Sequence, residues 1–392
     1  MTKVSNKERL FYISYIIFLV GILINESKYN YIPVALKISH IIQLIGCGLA
    51  IIKILLDIYD VFKNKNKFKI NYKIIIFYII SCIVILITKS KVIAYLPIFV
   101  LASKDIDIEK VLKYTLYTYI FMNLFVMISY FCGFIVEIAI ERNGIARHSF
   151  GWTSANQFMI IIFQIIALYL YLRRKKINIY DFIVSFILLM ISYYFTLSRM
   201  SLLCSLFLLL LFMIIRYTKI SKLFDKLKVL VYILPFILAF IFIGITIAFP
   251  KYGLDKIDDI LTGRLFYGKE AIKEYGIKPF GSEIKYYGQR ADGELEEHPY
   301  NYIDSSYVKV LINYGYFYLV IVFVLLIMLN HYAFKNKDYY LLAIIIAVEI
   351  YVTIDSFLVC IELNPWLLYL ISSIYPIEII SSKKKKYVKI KN

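Results

Sequence analysis

The chain has 392 residues, 61% of them hydrophobic, with 45 Lys and Arg against 27 Asp and Glu, for a net charge of +18. So apolar a composition excludes an ordinary soluble domain. The basic residues sit in short connectors between apolar runs, which excludes nucleic acid as the reason for the charge. The runs are unbroken rather than alternating, so a membrane barrel is excluded too. What remains is helices of about 20 residues, each able to cross a ~30 Å hydrocarbon core with its backbone satisfied internally.

The expected architecture is all-α and polytopic, with spans at 10–25, 33–57, 72–88, 91–103, 112–139, 155–172, 177–197, 200–216, 229–249, 307–330, 339–357 and 358–379. That is about 12 transmembrane helices. The fourth is short enough to be re-entrant or interfacial, and little more than Asp355 separates the last two. The opening MTKVSNKERLFYISYIIFLVGILI has the order of a signal peptide without a small-residue cleavage site, so it reads as a retained first helix. The spans divide the chain into 1–249, nine helices with short loops; 250–306, one long polar loop; and 307–392, three helices and a basic tail.

Lys and Arg crowd alternate connectors: the segment before the first span, KNKNKFKINYK, SKDIDIEKVLK, RRKK, Arg216–Lys228, FKNK and the tail. The short connectors of the other set hold Lys28, Lys89, Lys91, Arg142, Arg147 and Arg199. This bias places the crowded set, and with it both termini, in the cytoplasm of a multi-pass protein of the cell membrane. The loops at 141–156 and 250–306 then face outward. The lysine runs at 63–73 and 383–391 read as anchors to anionic lipid of the bilayer.

Five cysteines (Cys47, Cys82, Cys132, Cys204 and Cys360) lie in apolar surroundings, and no pair has metal-ligand spacing. There is no P-loop, no G-x-G-x-x-G and no zinc pattern, so ATP-driven transport by this chain alone is not expected. Asp105 and Asp107 form a D-x-D, but among cytoplasmic lysines they read as a solvated turn. Glu349 lies within a span, where an acid invites a functional reading, with no partner apparent in the sequence.

The chemistry is expected on the outer loops. ERNGIARHSFGWTSANQF brings Arg142, Arg147, His148, Ser149, Trp152 and Asn156 between two spans. An arginine fork at the bilayer surface suits phosphate; the plainer reading is a polar loop meeting lipid head groups. In FTLSRMSLL, Ser198 and Arg199 interrupt a helical hairpin, as a substrate contact or as a snorkelling turn marker. In the long loop, LTGRLFYGKEAIKEYGIKPFG places Arg264 after a Thr-Gly turn, and Ile260–Tyr275 has the spacing of a surface helix. HPYNYIDSSYVKV then sets His298, Asp304 and Tyr307 just above the membrane. Asp304 is a candidate general base and His298 the alternative; Asp304 or Ser305 could equally be a helix cap. Tyr286, Tyr287, Tyr300 and Trp152 are candidates to stack on sugar faces.

These segments resemble a known family. R-H-S-F-G-W-x-x-x-N at Arg147–Asn156 is similar to an outer loop of the Wzy-type polysaccharide repeat-unit polymerases, as is T-x-S-R at Thr196–Arg199. So are G-R followed by an amphipathic stretch ending in F-G, at Gly263–Gly281, and D-S-S-Y with a Gly eight residues after the Tyr, at Asp304–Gly315. The O-antigen ligases look like relatives on the same plan. The resemblance implies a GT-C-like membrane glycosyltransferase that needs no nucleotide, metal or other cofactor, because its donor is already activated. The implied substrate is an undecaprenyl-diphosphate-linked oligosaccharide. A chain-length regulator and a flippase of the same pathway are the implied protein partners. Arg147 and Arg264 would serve catalysis with Asp304 or His298 as base. Arg199, Asn156, Tyr307, His148, Ser198 and Trp152 would bind substrate. The ligases often have a His where this chain has Asp304, which leaves the base open. The rivals are a ligase and, outside enzymes, a flippase or exporter of the same lipid-linked unit. A flippase needs charges inside the bundle, and this chain has few: Lys37, Lys53 and Glu349.

Overall fold

The computed structural model describes residues 5–63, 72–137, 140–142, 144–218, 221–287 and 300–370. Helices α1 (Asn6–Asn25), α2 (Pro33–Lys63), α3 (Tyr72–Thr88), α4 (Lys91–Ala102) and α5 (Ile108–Phe131) come first. A small hairpin follows, β1 (Ile140–Arg142) and β2 (Ile145–Arg147), then α6 (Ala155–Arg173), α7 (Ile179–Thr196), α8 (Arg199–Tyr217), α9 (Ser221–Lys226) and α10 (Lys228–Ala248). The long connector carries α11 (Leu254–Leu261) and α12 (Arg264–Tyr275). A span then runs from Ser306 to Lys335 as α13 (Ser306–Lys309), a π turn (Val310–Tyr314) and α14 (Gly315–Lys335), and α15 (Tyr339–Tyr351) returns.

Local chemistry explains the helix starts. Ser5 and Glu8 form a capping box on α1, Asn178 and Asp181 another on α7, and Ser154 caps α6. The D-x-D of the sequence resolves the same way: Asp107 accepts from Lys110 N at 3.4 Å as the N-cap of α5.

Among the described residues, eight helices are long and apolar enough to cross a membrane, and three shorter apolar ones cover 75–88, 91–102 and 339–351. The short fourth span is α4, interrupted by Pro97, whose carbonyl accepts from Tyr78 OH at 2.7 Å. The surface helix expected over Ile260–Tyr275 starts at Arg264; Ile260 belongs to α11, and left-handed Thr262 and Gly263 separate the two.

The twelfth expected span differs. Over Val352–Asn364 the chain is irregular, and a 3₁₀ turn follows at Pro365–Tyr369, yet nearly all of it is buried. Such backbone is tolerated at membrane depth only inside protein that satisfies its polar groups. Here Tyr15 OH donates to Ile361 O at 3.2 Å, Tyr119 OH to Glu362 O, Gln164 Nε2 to Leu363 O at 2.5 Å and Asn364 Nδ2 to Leu358 O at 2.9 Å. Trp366 Nε1 donates back to Gln164 Oε1 at 3.0 Å. Hydropathy read this stretch as a span because it is greasy; its apolar surroundings are protein.

Backbone hydrogen bonds and ion pairs sort the described connectors onto two ends of the bundle. At one end, Lys28 N donates to Gly151 O at 2.8 Å, Thr153 N to Glu26 O at 3.1 Å and Ser306 N to Val352 O at 2.9 Å, and Lys89 pairs with Glu283 at 2.7 Å. At the other, Lys7 pairs with Asp57 and Asp60 at 3.0 and 2.6 Å, Arg174 with Glu109, and Tyr171 OH donates to Asp338 at 2.7 Å. Among the described residues, Arg147, Asn156, Ser198, Arg264 and Asp304 belong to the first end, and Arg173 and Arg174 to the second.

Candidate active site

The β1–β2 hairpin, with Ile140 opposite Arg147 and Gly144 at φ +74°, delivers Arg147 to the start of α6 and the α7–α8 turn. Arg147 Nε donates to Thr196 O at 2.8 Å, and its Nη2 reaches Ser198 Oγ at 3.1 Å and Asn156 Oδ1 at 3.3 Å. Ser198 Oγ also donates to Asn156 Oδ1, at 3.0 Å. Two motifs separate in sequence, R-H-S-F-G-W-x-x-x-N and T-x-S-R, therefore close one polar corner. Their backbones join as well, through His148 N to Phe195 O at 2.9 Å. The His148 ring lies 3.9 Å from Glu137 and stacks near Phe150. Arg199, the first residue of α8, is exposed, and its guanidinium pairs with nothing among the described residues. Trp152 is fully buried, with Nε1 donating to Asn123 Oδ1 at 3.0 Å, so it frames the loop from within.

The second cluster forms at the α11–α12 break. The Asp258 carboxylate accepts from Leu265 N at 2.7 Å and Phe266 N at 3.3 Å, fixing the first turn of α12. That turn buries Arg264. Its Nε donates to Ile354 O at 2.7 Å, and its Nη1 to Leu261 O at 2.7 Å and Thr262 Oγ1 at 2.6 Å. Asp304 Oδ2 lies 3.5 Å from Arg264 Nε. Most of the arginine is thus occupied with holding the irregular segment, and the Nη2 edge remains. Burial raises the Asp304 carboxyl above the usual aspartate range, against the opposing pull of Arg264 and then Lys309. Burial, then the Asp304 charge, also raises the Tyr300 phenol, whose ring stands 4.8 Å from that of Tyr267.

The D-S-S-Y motif is a docking joint. Ser306 Oγ donates to Asp355 O at 2.6 Å and accepts from Leu358 N at 3.2 Å. Tyr307 is fully buried, its hydroxyl 3.4 Å from Glu349 O. Glu349 itself finds a partner in Asn330, at 3.1 Å. Sequence reasoning gave no role to two charged residues of this neighbourhood. Asp355, noted there only as a break between spans, is buried within electrostatic reach of Arg264, Asp304 and Lys309. Lys309 donates to Tyr302 OH at 3.1 Å and Ser356 Oγ at 3.3 Å. A lysine three residues inside an apolar span was the available signal. His298 lies outside the described residues.

Helix α8 links the two clusters. Ser198 closes the Arg147 corner. One turn on, Ser201 and Cys204 lie against Tyr351, whose surroundings include Asp355 and Arg264. The arrangement is two arginine sites at one end of the bundle, with a half-buried acid and several tyrosines beside the second. Among the described residues, no group of three or more His, Cys, Asp or Glu is placed to hold a metal ion.

Residues 184–323 match the Wzy_C family model, described as O-antigen ligase. The matched stretch runs from within α7 into α14, so Ser198, Arg199, Arg264, Asp304, Tyr307 and Lys309 fall inside it. Arg147, His148, Trp152 and Asn156 fall outside, and reach it through the hydrogen bonds from Arg147 to Thr196 and Ser198. No curated protein and no solved structure matches the chain.

Proposed function

We propose that this protein is a polysaccharide repeat-unit polymerase working at the outer face of the cell membrane. It moves a growing glycan from undecaprenyl diphosphate onto the non-reducing end of the next lipid-linked unit. The bond between the anomeric carbon and the diphosphate oxygen breaks, and the electron pair leaves with the diphosphate. An acceptor hydroxyl forms the new bond to that carbon and gives its proton to a base. The donor is already activated, so the reaction as proposed draws on no nucleotide and no metal.

One observation carries the reading: within the stretch that matches Wzy_C, the half-buried Asp304 sits 3.5 Å from the buried Arg264. A carboxyl with a raised pKa is suited to take a proton from a sugar hydroxyl near neutral pH. The Nη2 edge of Arg264 and the exposed Arg199 are suited to the charge that develops on the departing diphosphate, where fixed positive groups contribute most. Arg147 holds the corner from which Arg199 projects. Trp152 and Tyr307, expected to bind substrate, are assigned to the frame, since each is buried against a protein acceptor.

The test is reconstitution of the full chain with a defined lipid-linked repeat unit. A ladder of products spaced by one repeat is the expected result. The family description favours a second reading, a ligase that passes a finished glycan to another carrier. Transfer of a single block without a ladder would establish that one instead.

A further inference from the structure

We infer that Lys309 is an additional anion-binding group of this site and grips the diphosphate of the lipid-linked glycan, an assignment that rests on the function proposed above. Its ammonium donates to two neutral hydroxyls, Tyr302 OH and Ser356 Oγ, and lies 4.4 and 5.0 Å from the ring centroids of Tyr302 and Tyr286. An ammonium has three donors, and these contacts use two. No carboxylate among the described residues pairs with it directly, in contrast to Lys53, which pairs with Asp57 at 2.5 Å.

Lys309 also lines a narrow crevice of about 40 Å³ with Ser306, Tyr314, Ser356 and Cys360, and Val92 of α4 borders it. Every polar group named there is a hydroxyl, an amine or a thiol, and none is an acid. One turn before Lys309, Ser305 Oγ is buried and has no hydrogen-bond partner among the described residues. An ammonium held by aromatic rings and hydroxyls, with a donor to spare on a crevice wall, is built to receive an anion.

The competing account makes Lys309 a neutraliser of Asp304, Asp355 and Glu26, all within electrostatic reach. Asp304 already faces Arg264 at 3.5 Å. Asp355 and Glu26, like Asp304, make no ion pair with the ammonium among the described residues, so none of the three occupies a donor of Lys309.

The shared chemistry is a phosphate ester, which could come from the substrate or from an ordinary phospholipid, so the experiment carries both arms. Full-length protein in detergent is titrated with undecaprenyl diphosphate and, separately, with phosphatidylglycerol. Lys309→Met should weaken the first about 10- to 100-fold, the scale of one charge-assisted hydrogen bond, and leave the second within about twofold. Lys309→Arg should recover most of the loss. Unchanged undecaprenyl diphosphate affinity in a folded Lys309→Met protein overturns the assignment, and so does an equal loss for both lipids. Should Lys309→Met not fold, reductive methylation of the unaltered protein serves, read at Lys309 by mass spectrometry. Protection by inorganic diphosphate supports the assignment; labelling that diphosphate does not change, or no labelling at all, overturns it. These readouts need no turnover. A protein that binds undecaprenyl diphosphate through Lys309 but builds no polymer refutes the polymerase reading and leaves this one standing.

Discussion

Gly281 and Gly315 meet with no room for a side chain on either. A Cβ at Gly281 would stand 2.0 Å from Asn313 O, and one at Gly315 would stand 2.3 Å from Pro279 O. Both have positive φ, +79° and +86°. The contact lets the long loop serve the start of α14: Tyr316 N donates to Lys278 O and Phe317 N to Pro279 O, both at 3.2 Å, and Ser282 N donates to Asn313 O at 3.1 Å. First-turn amides of a helix have no partner within it, so the loop supplies acceptors that α14 lacks. Gly281→Ala and Gly315→Ala should each cost roughly 3 kcal/mol or more, from overpacking and left-handed strain together. Thermal melting in detergent checks this, and either variant melting like the parent would contradict the close approach.

Asp304 separates activity from stability. Its folded-state pKa lies above its unfolded value, so its contribution favours the fold at acid pH and is lost as pH rises through the folded pKa. Charging it at neutral pH therefore costs stability. Asp304→Asn should be at least as stable as the parent at pH 7 and nearly inactive. In the parent, turnover should fall with acidification at a pH above the ordinary aspartate range of about 3.9, because the base must be unprotonated. An active Asp304→Asn protein would move the base elsewhere, His298 being the first alternative.

Arg147 reaches Thr196, Ser198 and Asn156 through a rigid fork. Lysine cannot reproduce that geometry. Arg147→Lys should keep the fold but lower turnover by about 10²–10³-fold, the scale for misplacing one charge-stabilising group. Arg199→Ala should show a loss of similar size with no change in melting temperature, since its guanidinium holds nothing among the described residues. Initial rates of polymerisation set beside melting curves distinguish the two.

Gln164 tests the irregular core. It donates to Leu363 O and accepts from Trp366 Nε1. Gln164→Leu keeps the volume and strands both partners, at about 1–3 kcal/mol for each buried group left unsatisfied. The expected result is a clear drop in melting temperature with no specific defect in substrate affinity.

The two-ended bundle predicts labelling. Single cysteines replacing Glu283 and Lys226 should react with a membrane-impermeant reagent from opposite sides, Glu283→Cys from outside. Labelling of both from one side would end the proposed placement of the chemistry.

What the sequence made legible was what repeats along it. Apolar runs marked most of the helices, and the glycine and arginine motifs marked segments that do come together. What it hid depends on distant partners. Nothing near Ile361 announces that Tyr15 will serve its carbonyl, and nothing near Leu363 names Gln164. Greasiness at 358–370 was read as part of a transmembrane helix, where the backbone is irregular and packed inside protein, because local pattern does not tell lipid from protein. Arg264 was found as a candidate, but its debt to Ile354 O was not. Lys309 drew no reading from the sequence, where a single lysine near the start of a span is commonplace.

The unwound stretch after Tyr351 also constrains biogenesis. A helix can leave the insertion machinery for lipid with its amides already matched, but this stretch draws donors from α1, α5, α6, the α12 turn and Ser306 at the start of α13. Those elements must be standing before it can settle. Synthesis order meets that need, since each of them leaves the ribosome first. The protein is in this sense a vessel completed by its own late-arriving stopper, and a variant that delays the vessel should expose the stopper to membrane proteases.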